Sequence, residues 1–271
     1  MSDIQPGASP PRVSIIGACY YLAPATFAQR MRQLVRSLEG DAGPISTQFV
    51  AIDAARLHDE TSRLPPYWLV STGGFLDISA YSTAALTSAP ADVHLLLNDT
   101  LFVKHPWRLI MRRVRALIRT LALMPGLAAC GEVHPSTDLL MADRDNPNRR
   151  HLSTFCFALN EAAFSMFKDI AATLPDGHDE HRVKAWLDAQ MQRHSALEKL
   201  LYVHLTGPLN PWSWPRLSKA QISPQLLDRK AVTVVFEYLL THQLLLQGGL
   251  IMPINTGPRY RLEATLWALR G

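Results

Sequence analysis

Polar side chains follow several short apolar segments of the chain. The most distinctive group is Asn98-Asp99-Thr100, which comes directly after a largely apolar run from Val93 to Leu97. Asp53 follows another such segment, and the turn Thr72 to Gly74 follows a third. Carboxylate oxygens are ligands that Mg²⁺ and Mn²⁺ prefer, whereas Asn and Asp in a turn also bond their own backbone. Which chemistry applies depends on the elements that bring these groups together.

The segments before these polar groups have the pattern of strands. β-branched and apolar runs predict strands at Val13 to Cys19, Thr47 to Ile52, Trp68 to Thr72 and Val93 to Leu97. Helical spacing predicts helices between them, at Pro24 to Leu38 and Phe75 to Thr87. The alternation predicts an α/β fold with a mostly parallel central sheet flanked by helices. Ligand sites in such sheets lie at the carboxyl ends of strands, where the polar groups fall.

The second half of the chain has a more helical pattern. Helices are predicted at Trp107 to Met124, Glu161 to Leu174, Arg182 to Leu205 and Val232 to Gln247, and one strand at His151 to Asn160. The segment Pro208 to Pro224 is predicted to be an ordered loop. Residues 1–12 are expected to form a flexible tail, and residues 13–271 a single domain with a helical C-terminal part.

Composition and missing motifs exclude several protein classes. The 271 residues carry 27 basic and 23 acidic side chains and three scattered cysteines, which favour a reducing cytoplasm over a secreted disulfide framework. No apolar run approaches the roughly 18 to 20 residues of a membrane helix. The dinucleotide, Walker, GxSxG and HExxH motifs are all absent from the sequence. The polar strand ends remain as the main functional signal.

Several segments, in this order, resemble bacterial glycosyltransferases of the GT-A fold, in particular the rhamnan-synthesis F group of surface-polysaccharide biosynthesis. These segments are Val13 to Cys19, Val70 to Tyr81 (VSTGGFLDISAY), Leu95 to Phe102 (LLLNDTLF), His151 to Phe164 and Phe236 to Gly249. The resemblance implies a hexosyltransferase-type enzyme that moves a sugar from a nucleotide-sugar donor to a glycan or lipid-linked acceptor. It also implies a cytoplasmic protein with peripheral membrane association.

The resemblance assigns roles to the polar strand ends. It implies that Asp53, Thr72, Gly73 and Asp77 hold the nucleotide, with Asn98, Asp99 and Thr100 near the diphosphate. Asp99 would bind Mg²⁺ or Mn²⁺, although the chain has one carboxylate here where the usual DxD motif has two. General turn chemistry offers alternatives, since the Asn98 to Thr100 segment could be a strand-terminating turn and Asp77 a helix cap.

The resemblance also extends to Glu237, the acidic residue in the last predicted helix. It implies that this carboxylate activates the acceptor hydroxyl as a general base. The alternative is an ordinary ion-paired helix glutamate. His151 is a weaker candidate for substrate binding, because a lone histidine is more often a structural residue than a ligand.

The predicted helix from Trp107 to Arg119 interleaves arginines with apolar residues. Contact with an anionic membrane surface or a diphosphate is one interpretation, and arginine stems covering a core helix is the other. Nucleic-acid binding is not expected, since no aromatic stacking motif accompanies the arginines. The alternative to an enzyme is a noncatalytic glycosyltransferase-like subunit that binds a nucleotide or a partner protein.

Overall fold

The computed structural model of the protein describes residues 9–52, 67–71, 74–135, 150–194, 196–201, 205, 223–256, 258, 260, 262–263 and 265. In these residues a seven-stranded sheet lies between layers of helices, in the strand order β3-β2-β1-β4-β6-β5-β7. The strands are β1 (Val13–Cys19), β2 (Ile45–Ile52), β3 (Trp68–Ser71), β4 (Val93–Asn98), β5 (Ala128–Pro135), β6 (Arg150–Asn160) and β7 (Leu250–Pro253).

The predicted α/β class is confirmed, but the prediction of a mostly parallel sheet needs correction because the sheet is mixed. β6 runs antiparallel to both of its neighbours, β4 and β5, while the other strand pairs are parallel. The sequence pattern missed β5, which begins with the small residues Ala-Ala-Cys-Gly rather than a β-branched run. It also missed β7, which has only four residues and ends in proline. Without β5, nothing in the sequence pattern indicated the direction of β6.

Helices pack on the two faces of this sheet. They are α1 (Pro24–Leu38), α2 (Leu76–Ala85), α3 (Thr100–Lys104), α4 (Trp107–Leu123), α5 (Glu161–Ala171), α6 (Glu180–Arg193), α7 (Ala196–Leu201) and α8 (Pro224–Leu246). The helix predicted from Arg182 to Leu205 is thus divided into α6 and α7. The predicted loop before α8 lies outside the described residues except for its last two positions, 223 and 224. Helix α8 begins at Pro224 because the Ser223 side chain accepts a hydrogen bond from the Leu226 amide.

The central strands are buried on both faces. In β1, Ile15 packs into the cluster that includes α1 and α4, whereas its neighbour Ile16 packs toward α2, α5 and α8. β4 divides its side chains in the same way, with Leu95 and Leu97 on one face and Leu96 on the other. Burial on both faces explains why these strands are continuous apolar runs in the sequence. In the described part of the chain, no helix is long and apolar enough to cross a bilayer.

Two features of the sheet position the polar groups. The chain passes from β1 to β2 and β3 on one side, and then returns to place β4 on the other side of β1. The strand order therefore reverses at β1 and β4, and in open α/β sheets ligands usually bind outside the carboxyl ends of the strands at such a point. The β4–β6 pairing ends at Leu97 opposite Cys156, so that the first residues of β6 extend past the end of β4.

Candidate functional site

Asn98 is the last residue of β4 and connects two elements at the carboxyl edge of the sheet. Its side-chain oxygen accepts a hydrogen bond of 3.0 Å from the Thr100 amide, which closes the turn into α3. Its amide nitrogen donates a hydrogen bond of 2.8 Å to Oδ2 of Asp77, in the first turn of α2. Asn98 is buried, so this bond fixes Asp77 beside the end of β4.

Asp99 is fully buried and anchors the loop that follows β1. Its Oδ2 atom accepts hydrogen bonds from three successive main-chain amides, those of Tyr20, Tyr21 and Leu22, with distances of 2.8 Å to Tyr20 and Leu22. Burial raises the pKa of this carboxyl group, although the three amides oppose the shift. Its Oδ1 atom is buried as well and has no hydrogen-bond partner among the described residues. The carboxylate therefore fills an anion-binding concavity of the protein's own backbone.

This geometry does not fit Asp99 as a ligand of a substrate-bound metal ion. One oxygen is committed to the backbone, and the other lies in the interior. Nor do the described residues contain a group of three or more His, Cys, Asp or Glu side chains that could hold a metal. These observations assign Asp99 to anchoring the backbone after β1.

Asp77 lies at the start of α2, after a backbone turn with two left-handed residues. Gly74 has φ of +80° and Leu76 has φ of +53°. Glycine adopts such a conformation easily, whereas it is strained for a bulky residue such as leucine. Burial raises the pKa of Asp77 to about 6, helped by the negative charge of Glu237 and opposed by Lys230 and Asn98. Asp77 is therefore a carboxyl group that gains and loses its proton close to neutral pH.

Glu237 lies on the face of α8 that packs against the start of β6. Its Oε1 atom accepts hydrogen bonds from the Thr154 amide at 2.9 Å and from the Thr154 hydroxyl at 2.6 Å. Burial alone would raise the pKa of Glu237, but Lys230, His151 and the Thr154 bonds together hold it below its usual value. Glu237 is therefore ionised at neutral pH.

Tyr81, which also lies on α2, contacts Thr154. Its hydroxyl donates a 2.9 Å hydrogen bond to the main-chain oxygen of Thr154, and burial raises its pKa well above the usual value. The structure thus brings carboxylates from α2 and α8 together with the ends of β4 and β6. We call the residues Asp77, Asn98, Thr154, Lys230 and Glu237 the edge cluster.

Among the residues predicted from the sequence, the structure places Asp77, Asn98 and Glu237 in the edge cluster. His151 lies at the start of β6, close enough to Glu237 to lower its pKa. Thr100 contributes its amide to the Asn98 turn. Asp53, Thr72 and Gly73 lie outside the described residues, so their predicted roles remain predictions.

Sequence reasoning did not identify Lys230 or Thr154 as members of the cluster. A signal for Lys230 exists, because it precedes Glu237 by seven residues and two helical turns place both on one face. Thr154 could not be found this way, because its role depends on where β6 extends past β4.

The arginines of α4 make contacts within the protein. Arg112 pairs with Glu263, Arg115 pairs with Asp41, and Arg113 lies 6.0 Å from the ring centre of Tyr260. These contacts favour the interpretation in which the arginine side chains cover a core helix. Exposed ion pairs of this kind each contribute little to stability.

Comparisons with models of protein families, with curated proteins and with solved structures found no match to this chain.

Proposed function

We propose that the chain is a glycosyltransferase with a GT-A-like fold, which moves a sugar from a nucleotide-sugar donor to a glycan or lipid-linked acceptor in bacterial surface-polysaccharide biosynthesis. The sequence resemblance supports this function, and so does the position of the edge cluster at the strand-order reversal. The observation that carries the proposal is the Asn98 to Asp77 hydrogen bond, which holds a carboxylate at the carboxyl end of β4. In this proposal the enzyme works in the cytoplasm, with peripheral contact to an anionic membrane.

The proposed reaction needs two kinds of group. When the acceptor oxygen attacks the anomeric carbon, the bond to the diphosphate breaks and negative charge develops on the leaving group. A nearby cation stabilises that charge, and Lys230 is the cation of the edge cluster. The acceptor hydroxyl also loses a proton, which a carboxylate within hydrogen-bond reach accepts.

A noncatalytic nucleotide- or partner-binding subunit is the second candidate function. The observation that favours it is the commitment of Asp99 to the backbone amides after β1. A subunit of this kind would bind the nucleotide but would not break the donor's glycosidic bond.

Nucleotide binding and donor cleavage separate the two candidates. Thermal unfolding of the purified chain would be followed with UDP, GDP, CMP and dTDP, each with and without Mn²⁺, since a ligand specific for the folded state raises its stability. Release of nucleoside diphosphate from the matching sugar donor would then be measured. We expect both a shift and release. A shift without release would favour the noncatalytic subunit, and the absence of both would contradict either nucleotide-dependent function.

A further inference from the structure

We infer that Asp77, and not Glu237, is the residue that takes the proton from the acceptor hydroxyl, and that Glu237 is a positioning residue. This inference rests on the proposed glycosyltransferase function. It reverses the roles that the sequence resemblance implied, in which Asp77 bound the nucleotide and Glu237 was the base. Three relationships within the edge cluster support it.

The first relationship is the hydrogen bonding of Glu237. Its Oε1 atom already accepts two hydrogen bonds from Thr154. One turn later in α8, the Thr241 hydroxyl accepts a hydrogen bond of 3.0 Å from the Leu152 amide. These bonds fasten α8 to the part of β6 that extends past β4. Protonation of Glu237 would weaken its charge-assisted bonds to Thr154, so proton transfer to this residue would loosen the support of the cluster.

The second relationship is the freer bonding of Asp77. Asn98 donates to its Oδ2 atom and the main-chain amide of Asp77 also bonds the carboxylate, but no other side chain in the described residues donates to it. A single side-chain donor orients this carboxylate, whereas Glu237 accepts both donors of Thr154. Asp77 is only partly buried, as Glu237 is, so the bonding of the two carboxylates and not their exposure distinguishes them.

The third relationship is the arrangement of charge around Asp77. Glu237 and Lys230 face it from α8, and Asn98 faces it from β4. Burial is the main reason that the pKa of Asp77 is raised; Lys230 opposes this shift, and the fixed negative charge of Glu237 adds to it. With a pKa of about 6, Asp77 is mostly ionised at neutral pH yet still basic enough to accept a proton.

The proposed step is balanced within the site. The acceptor oxygen forms a bond to the anomeric carbon, and the carbon–oxygen bond to the diphosphate breaks with its electron pair leaving on the diphosphate. The proton of the acceptor hydroxyl passes to Asp77 and then to solvent after the products leave. Glu237 keeps its charge throughout and holds α8 in place.

The test compares Asp77→Asn with Glu237→Gln. Both variants keep a side-chain oxygen that can accept the bond from Asn98 or Thr154, and thermal unfolding would establish that each is folded. Nucleoside diphosphate release from UDP-glucose, GDP-mannose and dTDP-glucose, with water as the acceptor hydroxyl, would be measured between pH 5 and 8. Nucleotide-induced thermal shifts would be the binding readout.

We expect Asp77→Asn to lose about 100-fold or more in release rate, to keep the nucleotide shift, and to lose the acidic limb of the pH profile near pH 6. Glu237→Gln should keep that limb and lose no more than about 10-fold. If Glu237→Gln loses the acidic limb and Asp77→Asn keeps it, the inference is wrong while the proposed function stands. If the wild-type chain neither binds a nucleotide nor cleaves any of the three donors, the proposed function fails and the inference fails with it.

Discussion

A single carboxylate oxygen of Glu237 in α8 accepts two hydrogen bonds from Thr154 in β6, one from the main-chain amide at 2.9 Å and one from the hydroxyl at 2.6 Å. Thr154 lies beyond the end of β4, where β6 has lost the neighbouring strand on that side. Thr241 receives the amide of Leu152 in the same stretch of β6. Side chains of a helix thus replace the missing strand and satisfy buried main-chain donors.

We predict that Glu237→Ala destabilises the protein. The substitution leaves two buried donors of Thr154 without a partner and removes a counter-charge of Lys230, which should lower the free energy of unfolding by about 2 to 4 kcal/mol. Glu237→Gln should cost less, because its amide oxygen can still accept from Thr154. Urea unfolding at pH 7 measures both, with Asp188→Ala on the exposed face of α6 as the control. Equal stabilities for Glu237→Ala and the control would contradict this role.

We predict that Asp99→Ala destabilises the protein. Three amides after β1 lose their acceptor together, and the free energy of unfolding should fall by about 3 kcal/mol or more. The stability of Asp99→Asn should lie between those of the wild type and Asp99→Ala, because the asparagine side chain keeps one oxygen that can accept hydrogen bonds. Amide hydrogen exchange at Tyr20, Tyr21 and Leu22 gives a local readout, and unchanged protection in Asp99→Ala would refute the anchoring role.

The raised pKa of Asp77 predicts a pH dependence of stability. A carboxyl group whose pKa rises from 3.8 to about 6 on folding binds its proton more tightly in the folded state. Its charge therefore destabilises the fold progressively as pH rises from about 4 to 6. Asp77→Asn removes this effect, so the variant should match the wild type near pH 4 and exceed it by roughly 1 kcal/mol above pH 6.5, after allowance for solvent screening.

Asp92 provides a control of opposite sign for this experiment. Slight burial would raise its pKa, but the amide and guanidinium of Arg12 hold the pKa of Asp92 below its usual value. Asp92→Asn should therefore lose stability relative to the wild type as pH rises through the ordinary range of a carboxyl group. If the two variants show the same pH dependence, the environment assigned to Asp77 is wrong.

We predict that Gly74→Ala is destabilising, whereas Gly126→Ala is nearly neutral. Gly74 has φ of +80°, and an added Cβ there would lie 3.1 Å from the backbone of Gly177. These effects together should cost about 1 to 3 kcal/mol. Gly126 has no neighbour within 4 Å of such an atom and no positive φ. Thermal unfolding of the pair, with the pH profile of Asp77 as a second readout, tests whether this turn positions the Asp77 carboxylate.

The sequence predicted the elements that depend on local periodicity. The runs at β1 and β4 and the spacing in α1, α4 and α5 are visible because each repeats an apolar pattern that the sheet faces require. β5 escaped prediction because Ala128, Ala129 and Gly131 lack the β-branched side chains that mark a strand, and burial in the sheet overrides their weak local preference.

The edge cluster was only partly predictable. Strand-end rules indicated Asn98 and the sequence resemblance indicated Asp77, and both lie in the cluster. Nothing local indicates that the Asp99 carboxylate would turn toward the amides after β1, because that contact depends on the pairing of β4 beside β1. The partners of Glu237 likewise depend on the antiparallel direction of β6, which only the assembled sheet defines.

The Asp99 contact has a kinetic consequence. The carboxylate that accepts hydrogen bonds from the amides of Tyr20, Tyr21 and Leu22 lies 77 to 79 residues later in the chain. During synthesis the loop after β1 therefore leaves the ribosome long before its anchor exists, and it cannot settle until β4 has docked beside β1. Such distant pairing slows folding relative to local contacts. We therefore expect the loop after β1 to be among the last parts of the domain to form. Its ordering during folding would show that β1 and β4 have already paired.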